Sequence, residues 1–194
     1  EDLNTLENHL NNAKFKLIKS YKNLGFGGGN HLGYKQAKGT HLAFVNNDAE
    51  LTENSILQLL NYSKIHPKVG CLGLKQVDAD GNTFKYSYRQ FIDLSYHLFD
   101  QKKPIKYYSK LYNSDLSEPF TVDLVSGAFM FFKTEAYIKT GGFDPKIFLF
   151  YEEMDICLRL KKQGYYTQFY PKSSFIHYMG KSSENPAIKR EFVI

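Results

Sequence analysis

His41-Leu42-Ala43-Phe44-Val45-Asn46-Asn47-Asp48-Ala49-Glu50 is an apolar strand that runs directly into a polar, doubly acidic end. Five apolar-rich residues bounded by polar ones suit a buried strand and are too few for a helix. Upstream, Gly39 is a C-terminal stop for a helix predicted over His31 to Lys38. Downstream, Thr52 can cap a helix that runs to about Ile65 and stops before Pro67. Val69 to Leu74 is a further strand, and Asp80-Gly81 makes a turn. Strands alternating with helices imply an α/β domain, with a mixed, mostly parallel sheet between helices.

Working outward, Leu3, Leu6 and Leu10 recur at helical spacing, so a helix is expected at the start. Phe15 to Ser20 alternates as a short strand, and Asn23 to Asn30 reads as a glycine-rich loop. Thr83 to Phe120 carries no period and reads as a long aromatic and basic excursion. Val122 to Lys133 returns to strand character, Glu135 to Thr140 is a short helix, and Glu152 to Gly164 is a longer one with a glycine stop. Thr167 to Tyr170 and Ser174 to His177 read as two short strands, and 181–194 as a loose polar tail. No internal repeat or low-complexity segment interrupts residues 1–194, which read as a single domain.

Composition narrows the function classes. With 42% hydrophobic and 23% charged residues, the chain is an ordinary globular one rather than a disordered one. Aromatic residues reach 16% without a single Trp, which fits either open, sticky grooves or an aromatic core. The net charge of +5 is scattered, with no run of Lys and Arg longer than two, so no nucleic-acid partner is expected. Contact with an anionic membrane surface remains compatible with it. Cys71 and Cys157 lie in apolar surroundings and read as buried free thiols of a reducing compartment. No apolar run reaches the roughly 18 residues of a membrane helix, and Glu1 to Leu10 is too polar for a signal peptide, so a cytoplasmic chain is expected.

Three clusters carry chemistry. Asp48 and Glu50 lie off the carboxyl end of a strand, where α/β sheets bind ligands. Two hard carboxylates one residue apart can share Mg²⁺ or Mn²⁺, which would offset the charge of a diphosphate. Their alternative role is to complement the start of the helix after Thr52. The Asn23–Asn30 glycines allow close backbone approach, but the segment lacks a Lys-Ser/Thr ending and the distant acidic residue of a dinucleotide fold, so a tight turn stays open as its role. Glu152 and Glu153 open the third helix, where either could take a proton from a sugar hydroxyl or merely complement the helix N-terminus. Asp155 and Arg159 are spaced to pair on one face, with Met154, Cys157, Leu158 and Leu160 expected inward. His177 ends the last strand, and a structural role is open to it.

Taken in order, these segments resemble the family 2 glycosyltransferases. The resemblance rests on Asn23-Leu24-Gly25-Phe26 with Gly29-Asn30, on Phe44 to Glu50, on Val69-Gly70 and Asp80-Gly81, on Ser126-Gly127-Ala128, on Gly141-Gly142-Phe143-Asp144, on Phe148 to Arg159, and on His177. It covers about Phe15 to Ser183 and is similar to the rhamnosyltransferase-like branch that builds bacterial surface polysaccharides.

It implies a GT-A fold, a dTDP-, UDP- or GDP-linked sugar donor, a saccharide or lipid-linked acceptor, and inversion at the anomeric carbon. It assigns Asp48, Glu50 and His177 to Mg²⁺ or Mn²⁺, and Asn23, Gly25, Phe26, Asn30, Asp48, Gly127 and Ala128 to the donor. Phe143 and Asp144 fall near the acceptor. Glu153 becomes the proton acceptor where the family more often has Asp, with Glu152 as the second candidate. The family's first strand has no counterpart, so an incomplete nucleotide floor is expected, together with an exposed sheet edge that could support a homodimer. An incomplete core that binds without catalysis, and a sugar nucleotidyltransferase, are the rival readings. The latter lacks its triphosphate-binding loop here. By the same analogy the enzyme would work at the inner face of the cell membrane.

Overall fold

The computed structural model describes residues 16–52, 54–84, 87–89, 116–178 and 192–193. The expected opening helix, most of the Thr83–Phe120 excursion and most of the tail from Lys181 lie outside them. The elements are β1 (Leu17–Ile18), α1 (Gly25–Tyr34), β2 (His41–Val45), β3 (Ala49–Leu51), α2 (Ser55–Ile65), β4 (Val69–Val77), β5 (Tyr88–Arg89), β6 (Phe120–Val122), β7 (Leu124–Val125), β8 (Phe129–Lys133), α3 (Thr134–Thr140), α4 (Glu152–Lys162), β9 (Tyr166–His177) and β10 (Phe192–Val193).

The main sheet runs β2-β8-β4-β9-β3, with β6 also on β9. It is mixed, but parallel pairing is confined to β4 with β9 among the described residues, and β2–β8, β4–β8, β3–β9 and β6–β9 are antiparallel. The alternation of strands and helices suggests a larger parallel share than this. The antiparallel pairs join strands far apart in the chain, and β8 alone, lying between β2 and β4, is antiparallel to both.

Alternation along the strands sends side chains to two cores. Met130 and Phe132 of β8 join Leu42, Phe44, Cys71, Tyr137, Phe143, Ile156 and Leu160 on the side of α3 and α4. Phe129 and Phe131 join Leu59, Leu72, Leu74 and Phe175 on the side of α2. The aromatic surplus therefore belongs largely to the core, where Phe44, Phe132, Tyr137 and Phe143 stack with ring centroids 5.1–6.3 Å apart. Each such ring contributes roughly 1.5–3 kcal/mol by burial. Cys71 and Cys157 are free and buried, as expected, and they face each other. Burial, then the hydrogen bond to Cys157, pushes the Cys71 thiol well above its ordinary range.

Several boundaries move. The glycine-rich segment is the first turn and a half of α1 rather than a loop, and the helix ends at Tyr34 rather than Lys38. Glycine is a poor helix former, by about 1 kcal/mol per residue against Ala, so packing holds this helix. Gly27 leaves only 3.4 Å between a would-be Cβ and both the Asp144 carbonyl and Phe143 Cβ. Val122–Lys133 is broken into β6, β7 and β8 by bends at Asp123 and at Ser126–Ala128. The two strands expected before His177 are one, β9, with a register shift opposite Leu74–Lys75 that accommodates Pro171. Asn54, in left-handed conformation, starts α2, while Thr52 hydrogen-bonds Ser55 Oγ (2.8 Å) and the Ser174 carbonyl (2.8 Å). Leu158, expected inward, is exposed, and Ile156 takes its place in the core. No helix among the described residues is long and apolar enough to cross a membrane.

Gly73 lets the β5–β7 ribbon lie flat on β4, since a Cβ there would stand 2.4 Å from Val125 Cβ. Gly73→Ala is expected to lower unfolding stability by about 1–3 kcal/mol through overpacking. Urea denaturation measures it, and an unchanged midpoint would show that the ribbon is not seated this way.

Candidate active site

The β3–β9 pairing, Ala49 opposite His177, brings the end of β9 beside the turn that precedes β3. His177 Nε2 lies 3.1 Å from Asp48 Oδ1, and the Asp48 carbonyl accepts the Tyr178 N–H at 2.9 Å. Both side chains are mostly shielded, at 14% and 8% exposure. Behind them, Gln76 Nε2 donates to His177 Nδ1 (3.0 Å), and Ser126 Oγ donates to Gln76 Oε1 (2.9 Å). A hydrogen-bond chain thus crosses from Ser126 through Gln76 and His177 to Asp48.

Glu50 does not join this pair. Asp48 belongs to a turn, closed by the Ala49 N–H on the Asn46 carbonyl at 3.1 Å, whereas Glu50 is in β3 opposite Ile176. Strand alternation puts Glu50 on the other face from Ala49 and His177. Its carboxylate accepts the Tyr178 hydroxyl at 2.7 Å. Among the described residues no three His, Cys, Asp or Glu groups converge as a ready-made metal cage.

The Ser126–Ala128 turn continues the site. It is fixed by the Asn46 N–H on the Ala128 carbonyl (3.0 Å) and the Ser126 N–H on the Ser87 carbonyl (3.0 Å). A Cβ on Gly127 would lie 3.9 Å from both Glu153 Oε2 and the Phe26 ring. Glu153 therefore faces this turn from the start of α4, and its Oε1 receives Arg89 Nη2 at 2.8 Å. Glu152, its neighbour, is buried, and its Oε2 finds no hydrogen-bond partner among the described residues. Burial first, and then the charge of Glu153, raises the Glu152 pKa, against a lowering contribution from its own backbone N–H.

The remaining sequence candidates brace the site. Asn23 Oδ1 caps α1 at the Gly25 N–H (3.0 Å), and Asn30 Nδ2 donates to the Phe26 carbonyl (3.1 Å). Gly25, at φ +69°, makes a close approach to the chain itself, because a Cβ would stand 1.9 Å from the Phe148 carbonyl oxygen. Phe143, expected beside an acceptor, has no exposed surface and packs edge-on against Phe26 and Phe44. Asp144 stays half-buried and accepts the Lys146 N–H at 2.9 Å. Arg159 binds both Asp155 oxygens, as its spacing predicts, and also the carbonyls of Thr140 and Gly142, so it anchors the loop before α4. That loop ends in Phe148, Leu149, Phe150 and Tyr151, all exposed, with Phe150 and Tyr151 in left-handed conformation.

Gln76, Ser126, Arg89 and Tyr178 do not stand out as site residues in the sequence. Gln76 follows Lys75 beyond the strand expected over Val69 to Leu74 and carries no signal of its own, and Arg89 lies in the unpatterned excursion.

A family model described as glycosyltransferase-like family 2 matches residues 1–192. The rhamnosyltransferase WbbL of Escherichia coli (strain K12) is 25% identical over 161 residues, covering 79% of this chain and 61% of that protein. The N-acetylglucosaminyl-diphospho-decaprenol L-rhamnosyltransferase of Mycobacterium tuberculosis (strain H37Rv) is 27% identical over 145 residues, 72% of this chain and 47% of that one. The chain thus spans about half to three-fifths of the length of these curated relatives. Among solved structures, that of GalNAc-T7 with UDP, GalNAc and Mn²⁺ is similar at a TM-score of 0.53, with 17% identity, over 76% of this chain and 29% of that one. At that identity the likeness speaks for the fold, which is GT-A.

The buried Glu152 carboxyl has a testable consequence. Its folded pKa lies above the ordinary 4.5, so the stability tied to its neutral form is complete below that pH and is lost as pH rises through the raised folded value. Glu152→Gln is expected to raise the melting temperature at pH 7.5 relative to the parent and to leave the two closer at pH 4. Thermal denaturation across that range measures it, and an equal offset at both pH values would contradict it.

Proposed function

The chain belongs to glycosyltransferase family 2, and from that premise we propose that it transfers a sugar from a nucleotide-diphosphate donor to a saccharide or lipid-linked saccharide hydroxyl, with inversion. The observation that carries this reading is the single turn Ser126–Ala128, which has the Asp48–His177 pair behind it and Glu153 in front of it. A donor sugar lying over Gly127 would have its diphosphate toward the first and its acceptor toward the second.

The residues present suit a divalent cation. Asp48 offers a hard carboxylate and His177 an imidazole; to ligate through Nε2 the ring would carry its proton on Nδ1, with the Gln76 amide turned so that its oxygen accepts it. Mg²⁺ and Mn²⁺ commonly take only one or two protein ligands and complete their shell with substrate phosphates and water. Asp48 and His177 would hold the ion, and Glu50 would act one step away through Tyr178. When bound, it supplies positive charge that offsets the developing charge on the diphosphate leaving group.

The chain's own groups do the rest. Glu153 accepts the proton of the acceptor hydroxyl, whose oxygen forms the new bond to the anomeric carbon on the face opposite the departing diphosphate. The anomeric C–O bond to the diphosphate breaks, its electron pair leaves with the nucleoside diphosphate, and the configuration inverts. Gly127 keeps the turn free of a side chain where the sugar ring would approach. The exposed apolar lip Phe148–Tyr151 would border the acceptor side. The rhamnosyltransferases among the relatives make a deoxyhexose from a dTDP-linked donor a suitable first probe.

Calorimetric titration with dTDP, UDP and GDP, each with and without Mn²⁺, tests the reading. One nucleotide should bind in a metal-dependent way, and Asp48→Asn should weaken it about tenfold or more. Glu153→Gln should bind within about threefold of the parent while turnover falls by roughly 10²-fold or more. Metal-independent binding untouched by Asp48→Asn would remove the assignment of that pair, and near-parental turnover in Glu153→Gln would remove the base.

A further inference from the structure

We propose that Arg89 is a positioning residue for transfer, holding the Glu153 side chain so that one carboxylate oxygen faces the reacting hydroxyl. This rests on Glu153 being the proton acceptor. A glutamate side chain has one more rotatable bond than an aspartate. An unrestrained carboxylate would spread over several rotamers, and misplacement by an ångström costs much of the advantage of a preset geometry.

Arg89 is built to remove that freedom. Its neighbour Tyr88 is 2% exposed and locked between Phe169 and Phe120, with ring centroids 4.6 and 5.2 Å away. The two-residue strand pairs Arg89 with the buried Leu124, and Gly73 seats that ribbon on β4. The guanidinium thus starts from a fixed backbone, although 46% of the side chain is exposed. It takes Glu153 Oε1 at 2.8 Å and leaves Oε2 on the side of Gly127. Glu153 faces this guanidinium, from β5, and Glu152, from its own helix.

The test measures kcat and donor KM with dTDP-rhamnose and N-acetylglucosaminyl-diphospho-polyprenol, and with UDP- and GDP-hexoses, for the parent, Arg89→Ala, Arg89→Lys, Glu153→Asp and the double variant Arg89→Ala/Glu153→Asp. Arg89→Ala should lower kcat about 10- to 100-fold with donor KM within about threefold, and Arg89→Lys should recover part of the loss. In the Glu153→Asp background, whose carboxylate is one methylene further from the guanidinium, Arg89→Ala should cost less than about threefold. Crystals of Arg89→Ala should show Glu153 in more than one rotamer, a readout independent of turnover.

Parental kcat in Arg89→Ala, a raised donor KM with kcat kept, the same loss in the parent and Glu153→Asp backgrounds, or a single unchanged Glu153 conformer would each overturn the proposal. Full activity in Glu153→Gln would instead remove the underlying base assignment, and the positioning role with it.

Discussion

Strand β9 is hydrogen-bonded along both edges, and the site depends on that constraint. One edge runs parallel to β4 from Val69↔Tyr166 to Val77↔Ile176, and the other is covered first by β6 and then by β3. A backbone tied on both sides has little freedom to slide, because a one-residue slip would turn Phe169 and Phe175 out of the core. The same register places Gln76 and His177 where their side chains meet and sets His177 against Asp48. His177 is thus fixed by sheet geometry, and Asp48 by a turn whose carbonyl is tied to the Tyr178 N–H, which is how a site keeps its groups in place before a substrate arrives.

The opposite half of the site is held by different means. Glu153 stands on the first turn of α4, entered through Phe150 and Tyr151 in left-handed conformation. Such residues cost on the order of 1–3 kcal/mol each unless their surroundings hold them. Arg159 supplies part of that hold by binding the carbonyls of Thr140 and Gly142, and the Phe148 carbonyl accepts the Phe26 N–H at 3.0 Å. The glycines of α1 belong to this arrangement, since they let the helix lie against the same loop. Two of the three left-handed non-glycine residues among those described therefore stand beside the residue read as the base.

Much of this could be read from the chain. The strand His41–Val45, the helix from Glu152 and the strand ending at His177 stand where periodicity and flanking residues put them, and the ordered motifs named the family. What could not be read has definite causes. Asp48 and Glu50 have the same parity, so an extended chain would place them together; the turn at Asn47–Asp48 breaks the alternation, and Asp48 meets His177 while Glu50 meets Tyr178. The glycine segment resembles a loop because local propensity opposes a helix there, and packing against Phe143 and Asp144 overrides it. Gln76 and Arg89 reach the site through long-range pairing, to which local patterns are blind.

On the proposed reading, Asp48 and His177, without Glu50, form the cation and diphosphate end of the site. Anomalous diffraction from crystals soaked with Mn²⁺ and the nucleoside diphosphate that binds tests it most directly. A single manganese peak is expected in direct contact with the Asp48 carboxylate and the His177 imidazole, with Glu50 still on Tyr178. A peak coordinated by Glu50 instead, or bound nucleotide with no manganese beside Asp48 and His177, would contradict it.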